Sequence, residues 1–337
     1  MAMNREKRFR VAVAQLRPAP ATQDAIDMIA HTAEQARGQG ARLVLFPEAY
    51  VGGYPRGSAF GTLVGQRSDE GREEFRRYWD QAIEVPGPEC EQLGRVARRH
   101  GLQLVVGVIE RDVGTLYCTV VFFSAEGELM GKHRKLMPTG AERLIWGFGN
   151  GSTMPVFDTP LGKVGAVICW ENYMPLMRMA HYAKGIEIYC APTADGRDTW
   201  LPTMRHVALE GRCFVLSCNQ FARQSDYPGI HGPEGREGDP VVSRGGSCII
   251  DPAGQVLAGP EFGGEALLTA EIDLDAIPRA KYDFDAVGHY ARPDVFSLLV
   301  NEADTPAVVF GQGRPMHHGA VPSPSRGTDM DEPMSPH

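Results

Sequence analysis

The chain has no apolar run that approaches the length of a membrane span, so nothing in it reads as a transmembrane helix. It also lacks an excess of positive charge. Its 34 Lys and Arg against 42 Asp and Glu leave a formal net charge of -8, which gives no electrostatic case for nucleic acid or an anionic membrane as partner. Cysteine is sparse: the seven are Cys90, Cys118, Cys169, Cys190, Cys213, Cys218 and Cys248, an odd number scattered without Cys-x-x-Cys pairs. Neither a disulfide framework nor a zinc site is expected, and no cofactor motif stands out. Most of these cysteines fall inside apolar strand-like runs, which predicts buried, reduced thiols for all but Cys169. The first eight residues are charged and the apolar piece after them is too short for a signal peptide, so a cytosolic protein is expected.

What the sequence does have is core. Its 337 residues, 43% hydrophobic, suffice for one large or two small domains. Strand-like runs at 11–16, 43–46, 104–109, 118–123, 164–168, 187–191, 215–217, 247–250 and 266–272 alternate with helix-like patterns at 21–37, 89–100, 172–184 and 200–212. That alternation predicts an α/β fold. The basic run 95–99 is interrupted by apolar residues at helical spacing and reads as a solvated helix face. Two stretches break the alternation. Residues 224–246, rich in Gly and Pro, read as a long polar loop that covers a site, touches another subunit or moves freely. After about Gly311 the composition turns to Gly, Pro, Ser, His and Asp, and residues 312–337 are expected to form a flexible, disordered tail beyond a body spanning 1–311.

Three segments carry chemistry. Val164 to Ile168 is an apolar strand that stops at Cys169-Trp170-Glu171-Asn172, where a turn leads into a helix-like pattern. A thiol at a strand end is expected to be exposed, with the following helix start favouring its thiolate. Leu43-Val44-Leu45-Phe46-Pro47-Glu48 ends another strand in a carboxylate suited to a general base. His133-Arg134-Lys135-Leu136-Met137-Pro138-Thr139 sets an ammonium between apolar and turn residues, with Glu142 close behind. Taken singly, Glu48 and Lys135 read as solvated charges and Cys169 as a core thiol; in combination they are far more specific.

Glu48, Lys135 and Cys169, in this order and in these local frames, resemble the Glu-Lys-Cys triad of the nitrilase superfamily of carbon–nitrogen hydrolases. The resemblance runs from Val11-Ala12-Val13-Ala14-Gln15 to Gly288-His289-Tyr290-Ala291-Arg292-Pro293-Asp294, and Cys169-Trp170-Glu171-Asn172 is similar to the true nitrilase branch. It implies a single-domain, four-layer α-β-β-α sandwich with two mixed sheets, and Glu142 falls where that family carries a second active-site glutamate. Tyr54, Trp146, Tyr173, Pro192, Thr193 and Trp200 lie in segments near the substrate in similar nitrilases. Trp170 is expected to line the pocket, so the resemblance implies a cavity suited to an apolar or aryl side chain. His289 is expected to be a packed or interface histidine.

The implied chemistry is hydrolysis of a nitrile to the acid and ammonia through a Cys169 thioimidate and thioester, without metal or cofactor. Glu48 serves as base, Lys135 stabilises charge, and Glu142 orients Lys135 or the water. The segments 53–61 and 190–200 are similar to nitrilases acting on aliphatic nitriles, arylacetonitriles or β-cyanoalanine. The alternatives are an amidase or N-carbamoyl hydrolase using the same triad, and, in a different class, a non-catalytic filament scaffold. Self-association into dimers, higher oligomers or spirals is implied through helices 172–184 and 200–212, with Met174, Met177 and Tyr182 offering apolar surface.

Overall fold

Side chains alternate across each strand, and in β1 (Arg8–Gln15) that alternation already defines two cores. Val11 and Val13 join one buried cluster, while Ala12 and Ala14 join another. The same split recurs in β2 (Ala41–Leu45), where Leu43 and Leu45 face one way and Val44 the other. A strand buried on both faces needs a layer on each side, which makes a sandwich.

The computed structural model describes residues 5–227 and 238–309. One six-stranded sheet has the order β14-β1-β2-β3-β4-β5, with β3 at Gln103–Asp112, β4 at Thr115–Phe123, β5 at Leu129–Arg134 and β14 at Ala266–Asp273. The second has the order β13-β12-β9-β8-β7-β6, with β6 at Val156–Thr159, β7 at Gly162–Ala166, β8 at Ile188–Pro192, β9 at Phe214–Cys218, β12 at Ser247–Ile250 and β13 at Val256–Glu261. Both sheets are mixed: β1, β2 and β3 run parallel, as do β7, β8 and β9, and the outer strands are antiparallel. A short ribbon of β10 (Phe221–Arg223) and β11 (Val241–Arg244) stands apart.

Val13, Leu45 and Val105 of the first sheet and Val164, Ile188 and Leu216 of the second form one cluster between the sheets. Helices α1 (Thr22–Gly38) and α3 (Pro88–His100) cover the outer face of the first sheet through Ile26, Ile29 and Leu93. Helices α4 (Pro175–Ala183) and α5 (Trp200–Gly211) cover the second through Met177, Met204 and Val207. The order is α-β-β-α. Helices α2 (Asp69–Gln81) and α6 (Ala276–Asp283) complete the set among the described residues.

One compact body runs through Asp304, and the expected boundary at 311, like the 312–337 tail, lies outside the described residues. One helix expectation shifts. The helix expected over 172–184 begins at Pro175 and is preceded by a 3₁₀ turn, Cys169–Tyr173. Proline has no N–H to donate and is tolerated in the first helical turn, so the helix starts there. Consequently Met177 and Tyr182 are buried in the core and do not form the apolar surface expected of them; the exposed apolar residues nearby are Tyr173, Leu176 and, on α5, Leu209. In the segment expected to be one long loop, residues 241–244 form β11, and residues 228–237 lie outside the described residues.

Candidate active site

Glu48 reaches the site because the chain after β2 folds tightly over β3. The Pro47-Glu48-Ala49 backbone lies so close to Gly107 that a Cβ there would sit 2.1 Å from the Pro47 carbonyl oxygen. Only glycine permits this approach, which Tyr50 and Val51 complete by donating their N–H groups to the Gly107 carbonyl. Lys135 follows the end of β5, and its N–H donates to the Cys118 carbonyl at 2.8 Å, extending the β4 pairing by one residue. Cys169 lies beyond the end of β7 and has φ of 50°, the left-handed region, so its side chain leaves the turn in a direction ordinary strand geometry forbids.

These three converge. Lys135 Nζ donates to Glu48 Oε1 at 2.6 Å and to Glu142 Oε2 at 2.8 Å, with Lys135 and Glu48 fully buried. Glu142 is fixed by two further donors, the Thr139 N–H at 2.7 Å and the Tyr54 hydroxyl at 2.7 Å. Glu48 Oε2 is buried and has no hydrogen-bond partner among the described residues, and the Cys169 thiol acts on this carboxylate as a neighbouring donor. The Cys118 thiol also approaches Glu48 Oε1, at 3.6 Å.

Charge follows burial. Desolvation pushes the Glu48 carboxyl above its ordinary value, outweighing Lys135, which pulls it down. Burial opposes the Lys135 charge too, yet Glu48 and its other acidic neighbours hold the ammonium well above the usual lysine value. Burial and then the Glu48 carboxylate drive the Cys169 thiol far up. Burial thus disfavours the Cys169 thiolate, while the 2.6 Å contact pairs the Lys135 ammonium with Glu48. This corrects the expectation of an exposed thiol favoured as thiolate by a helix start: Cys169 is only 5% exposed, and the α-helix begins beyond it. Two donors do meet the sulfur. Thr193 Oγ1 donates to Sγ at 3.1 Å, its proton aimed there because the same oxygen accepts the Asp195 N–H at 3.0 Å. The Ala194 N–H also bonds the sulfur.

A cavity of about 440 Å³ opens onto Cys169, lined by Tyr54, Glu142 and Trp170, by Arg56, Asp195 and Arg197, and by residues 241–244 of β11. The family model described as carbon-nitrogen hydrolase matches residues 10–282. The chain belongs to the carbon-nitrogen hydrolase family. It is 57% identical over 304 residues to an aliphatic nitrilase of Sinorhizobium fredii, covering 90% of this chain and 98% of that one. It is 58% identical over 296 residues to the bifunctional nitrilase/nitrile hydratase NIT4B of Nicotiana tabacum, covering 86% and 84%. Among solved structures it is similar to a carbon-nitrogen hydrolase from Helicobacter pylori, with a TM-score of 0.69, 21% identity, and coverage of 86% of this chain and 97% of that one. That likeness carries the fold.

Within this carbon-nitrogen hydrolase the expected pocket residues divide. Tyr54 and Trp170 line the cavity, and the Trp170 indole is fixed by donating to Asp195 Oδ2 at 2.8 Å. Thr193 contacts the nucleophile itself. Trp146 does not line the cavity: it is buried, donates to the Tyr78 hydroxyl, and lies beneath the Lys135 ammonium, 5.5 Å from ring centre to Nζ. Trp200 is also buried, donating to Ser217 Oγ at 2.8 Å, and Pro192 ends β8 in the core. Tyr173 bridges Trp170 and Trp200 by edge contacts and is half exposed outside the cavity lining. His289 is exposed beside Tyr290 and does not line the cavity.

The cavity is thus more charged than an aryl pocket. Arg56, Asp195 and Arg197 lie in the segments 53–61 and 190–200 but are not among the expected pocket residues, nor is the 241–244 strand, because three separate segments of the chain are brought to the site only by folding. Asp195 binds Arg197 through both oxygens, and Arg197 lies over the Trp170 ring. Arg244 pairs with Asp198. Arg56 donates to the Ala194 carbonyl at 3.3 Å and lies over Tyr54, with no carboxylate partner among the described residues.

Proposed function

We propose that this enzyme is a nitrilase that converts an organic nitrile and two waters to the carboxylic acid and ammonia. The buried Glu48–Lys135–Glu142 network beside Cys169 carries the chemical part of the reading, and the nitrilase names of relatives at 57% and 58% identity support the nitrile. Glu48, through its free oxygen, takes the Cys169 proton as sulfur adds to the nitrile carbon. A nitrile carbon is weakly polarised, so the developing nitrogen anion needs the Lys135 ammonium and a proton relayed from Glu48. The product is a thioimidate on Cys169, its sulfur facing the Thr193 hydroxyl and the Ala194 N–H. Glu48 then takes a proton from water as its oxygen adds to the thioimidate carbon. Expulsion of ammonia leaves a thioester, and a second water releases the acid and restores the thiol.

Glu142 stabilises the protonated leaving nitrogen, which favours ammonia over thiol as the departing group and acid over amide as the product. The cavity supports nitriles of aliphatic, arylacetonitrile or β-cyanoalanine type. Arg56, which has no carboxylate partner among the described residues, favours those whose tail carries an acceptor or a carboxylate. The enzyme acts in the cytoplasm and self-associates at least into dimers through the exposed Tyr173, Leu176 and Leu209. A panel of nitriles and their matching amides, with acid, amide and ammonia quantified, tests the reading. Turnover of nitriles with acid dominant is the expected result, and turnover of amides alone would replace nitrilase by amidase.

A further inference from the structure

Behind the reacting groups lies a carboxylate that the chemistry above does not use. Glu171 Oε1 accepts the Leu136 N–H at 2.6 Å, and Oε2 accepts the Ile168 N–H at 2.8 Å. Leu136 directly follows Lys135, and Ile168 directly precedes Cys169. One side chain therefore holds the backbone next to the ammonium and the backbone next to the nucleophile, which come from different sheets. Glu171 Oε2 also meets His133 Nε2 at 2.9 Å, and His133 Nδ1 lies 2.6 Å from the Thr153 carbonyl. A carboxylate and a carbonyl are both acceptors, so both ring nitrogens carry protons and the imidazole is cationic. Against desolvation, which disfavours its charge, Glu171 raises the His133 pKa; against the same burial, His133 and the two backbone donors lower that of Glu171.

His133 and Lys135 are two residues apart at an extended strand end and so lie on the same face of it. Both partners of the ion pair have no exposed side-chain surface. A fully buried pair contributes little net stability compared with an apolar packing of the same volume, and its best-attested value is in fixing one arrangement. Neither the Leu136 nor the Ile168 N–H lies within a strand, and a carboxylate is the acceptor that serves both at once.

We propose that Glu171 and His133 are positioning residues, a buried clamp that sets the distance and angle between Lys135 and the Cys169 sulfur. The proposal rests on the reading of Lys135 and Cys169 as catalytic. Glu171→Gln presents an amide N–H to a backbone N–H that now has an acceptor, while His133→Gln keeps both backbone contacts and removes the cation.

The test uses the full chain and two readouts. The first is the rate at which iodoacetamide alkylates Cys169, followed by intact mass and peptide mapping; the second is kcat and KM on a nitrile. Leu93→Ala, in the remote helix-facing core, serves as a destabilised control. A small misplacement of reacting groups costs on the order of a hundredfold in rate, so folded Glu171→Gln should lose about that factor in kcat, with KM within about threefold. Alkylation should slow by about tenfold or more, His133→Gln should show a smaller loss in both rates, and Leu93→Ala should keep both near wild type. A folded Glu171→Gln protein with wild-type alkylation and kcat, or an equal loss in Leu93→Ala, would overturn the clamp. Should Glu171→Gln fail to fold, His133→Gln decides alone: a slowed alkylation with unchanged KM supports the clamp, and wild-type rates overturn it. If the wild type hydrolyses no nitrile, the nitrilase reading fails while the alkylation comparison still decides the clamp.

Discussion

Glu48 meets Lys135 through one oxygen only. The 2.6 Å contact uses Oε1, and Oε2 is buried without a hydrogen-bond partner among the described residues. An orphaned acceptor in a buried site is costly, and here it gives the base a free lone pair on the carboxylate that neighbours the Cys169 thiol. The ion pair orients the carboxylate while burial keeps it basic enough to take a proton.

The first prediction is the pH profile. Burial raises the Glu48 pKa above the ordinary carboxylate range, so the base is lost by protonation as pH falls through that raised value. The acid limb of kcat should therefore lie above where a solvated glutamate titrates. Lys135, held well above its usual value, should give no loss under mildly alkaline conditions. A kcat profile whose acid limb sits at the solvated glutamate value would contradict the desolvated base.

Glu48→Gln and Lys135→Arg separate the charged partners. The first keeps shape without basicity and should abolish both formation and breakdown of the covalent intermediate. The second keeps charge in a planar, longer group that cannot bridge Glu48 and Glu142 at the same two distances, and should lose most activity. Single-turnover kinetics measures both; near-wild-type rates for Lys135→Arg would reduce Lys135 to a general electrostatic contributor.

Thr193→Val removes the hydroxyl that faces Sγ while keeping its volume. A hydrogen bond to a charged group is worth about 1.5–3 kcal/mol, so kcat should drop by roughly tenfold to a hundredfold, with some fall in melting temperature because the buried Asp195 N–H loses its acceptor as well. Unchanged kcat would mean that the hydroxyl does not act on the thiolate.

Arg56→Gln probes the tail of the substrate. The KM of a carboxylate-bearing nitrile should rise by roughly tenfold or more while that of a neutral nitrile of equal size stays within about threefold, the loss expected for a charge-assisted contact. Equal effects on both would assign Arg56 to the wall of the cavity alone.

Much of this was legible in the sequence, and the misses share a cause. The cores of β1, β2 and α3 follow from apolar periodicity, and Gly101 caps α3 in the left-handed conformation as its position predicts. Strand β5 has no apolar periodicity, because Lys132 and Arg134 are charged; they are tolerated because Glu110, 1% exposed, receives both. Helix α2 is mostly charged, and its apolar face is confined to Phe75, Tyr78 and Trp79, too short a set to stand out among the charges in the sequence. Glu48, Lys135 and Cys169 stood out through their local frames, and the structure gathers them. The expected pocket residues that lie outside the cavity lining, Trp146, Tyr173, Pro192 and Trp200, depended on side-chain direction, which the sequence pattern does not show. One signal was there to be used: Thr139-Gly140-Ala141-Glu142 has the spacing of a capping box, and the Thr139 N–H does hold Glu142.

The central claim is that Cys169 becomes covalently bonded to the substrate. The most direct test is intact mass spectrometry of the enzyme quenched during turnover of a slow nitrile, with peptide mapping of the adduct. A mass increase equal to the nitrile, or to its acyl group, located on Cys169 and absent from a folded, inactive Cys169→Ala protein, is the predicted result. An adduct on another cysteine, or appreciable nitrile hydrolysis by Cys169→Ala, would contradict it.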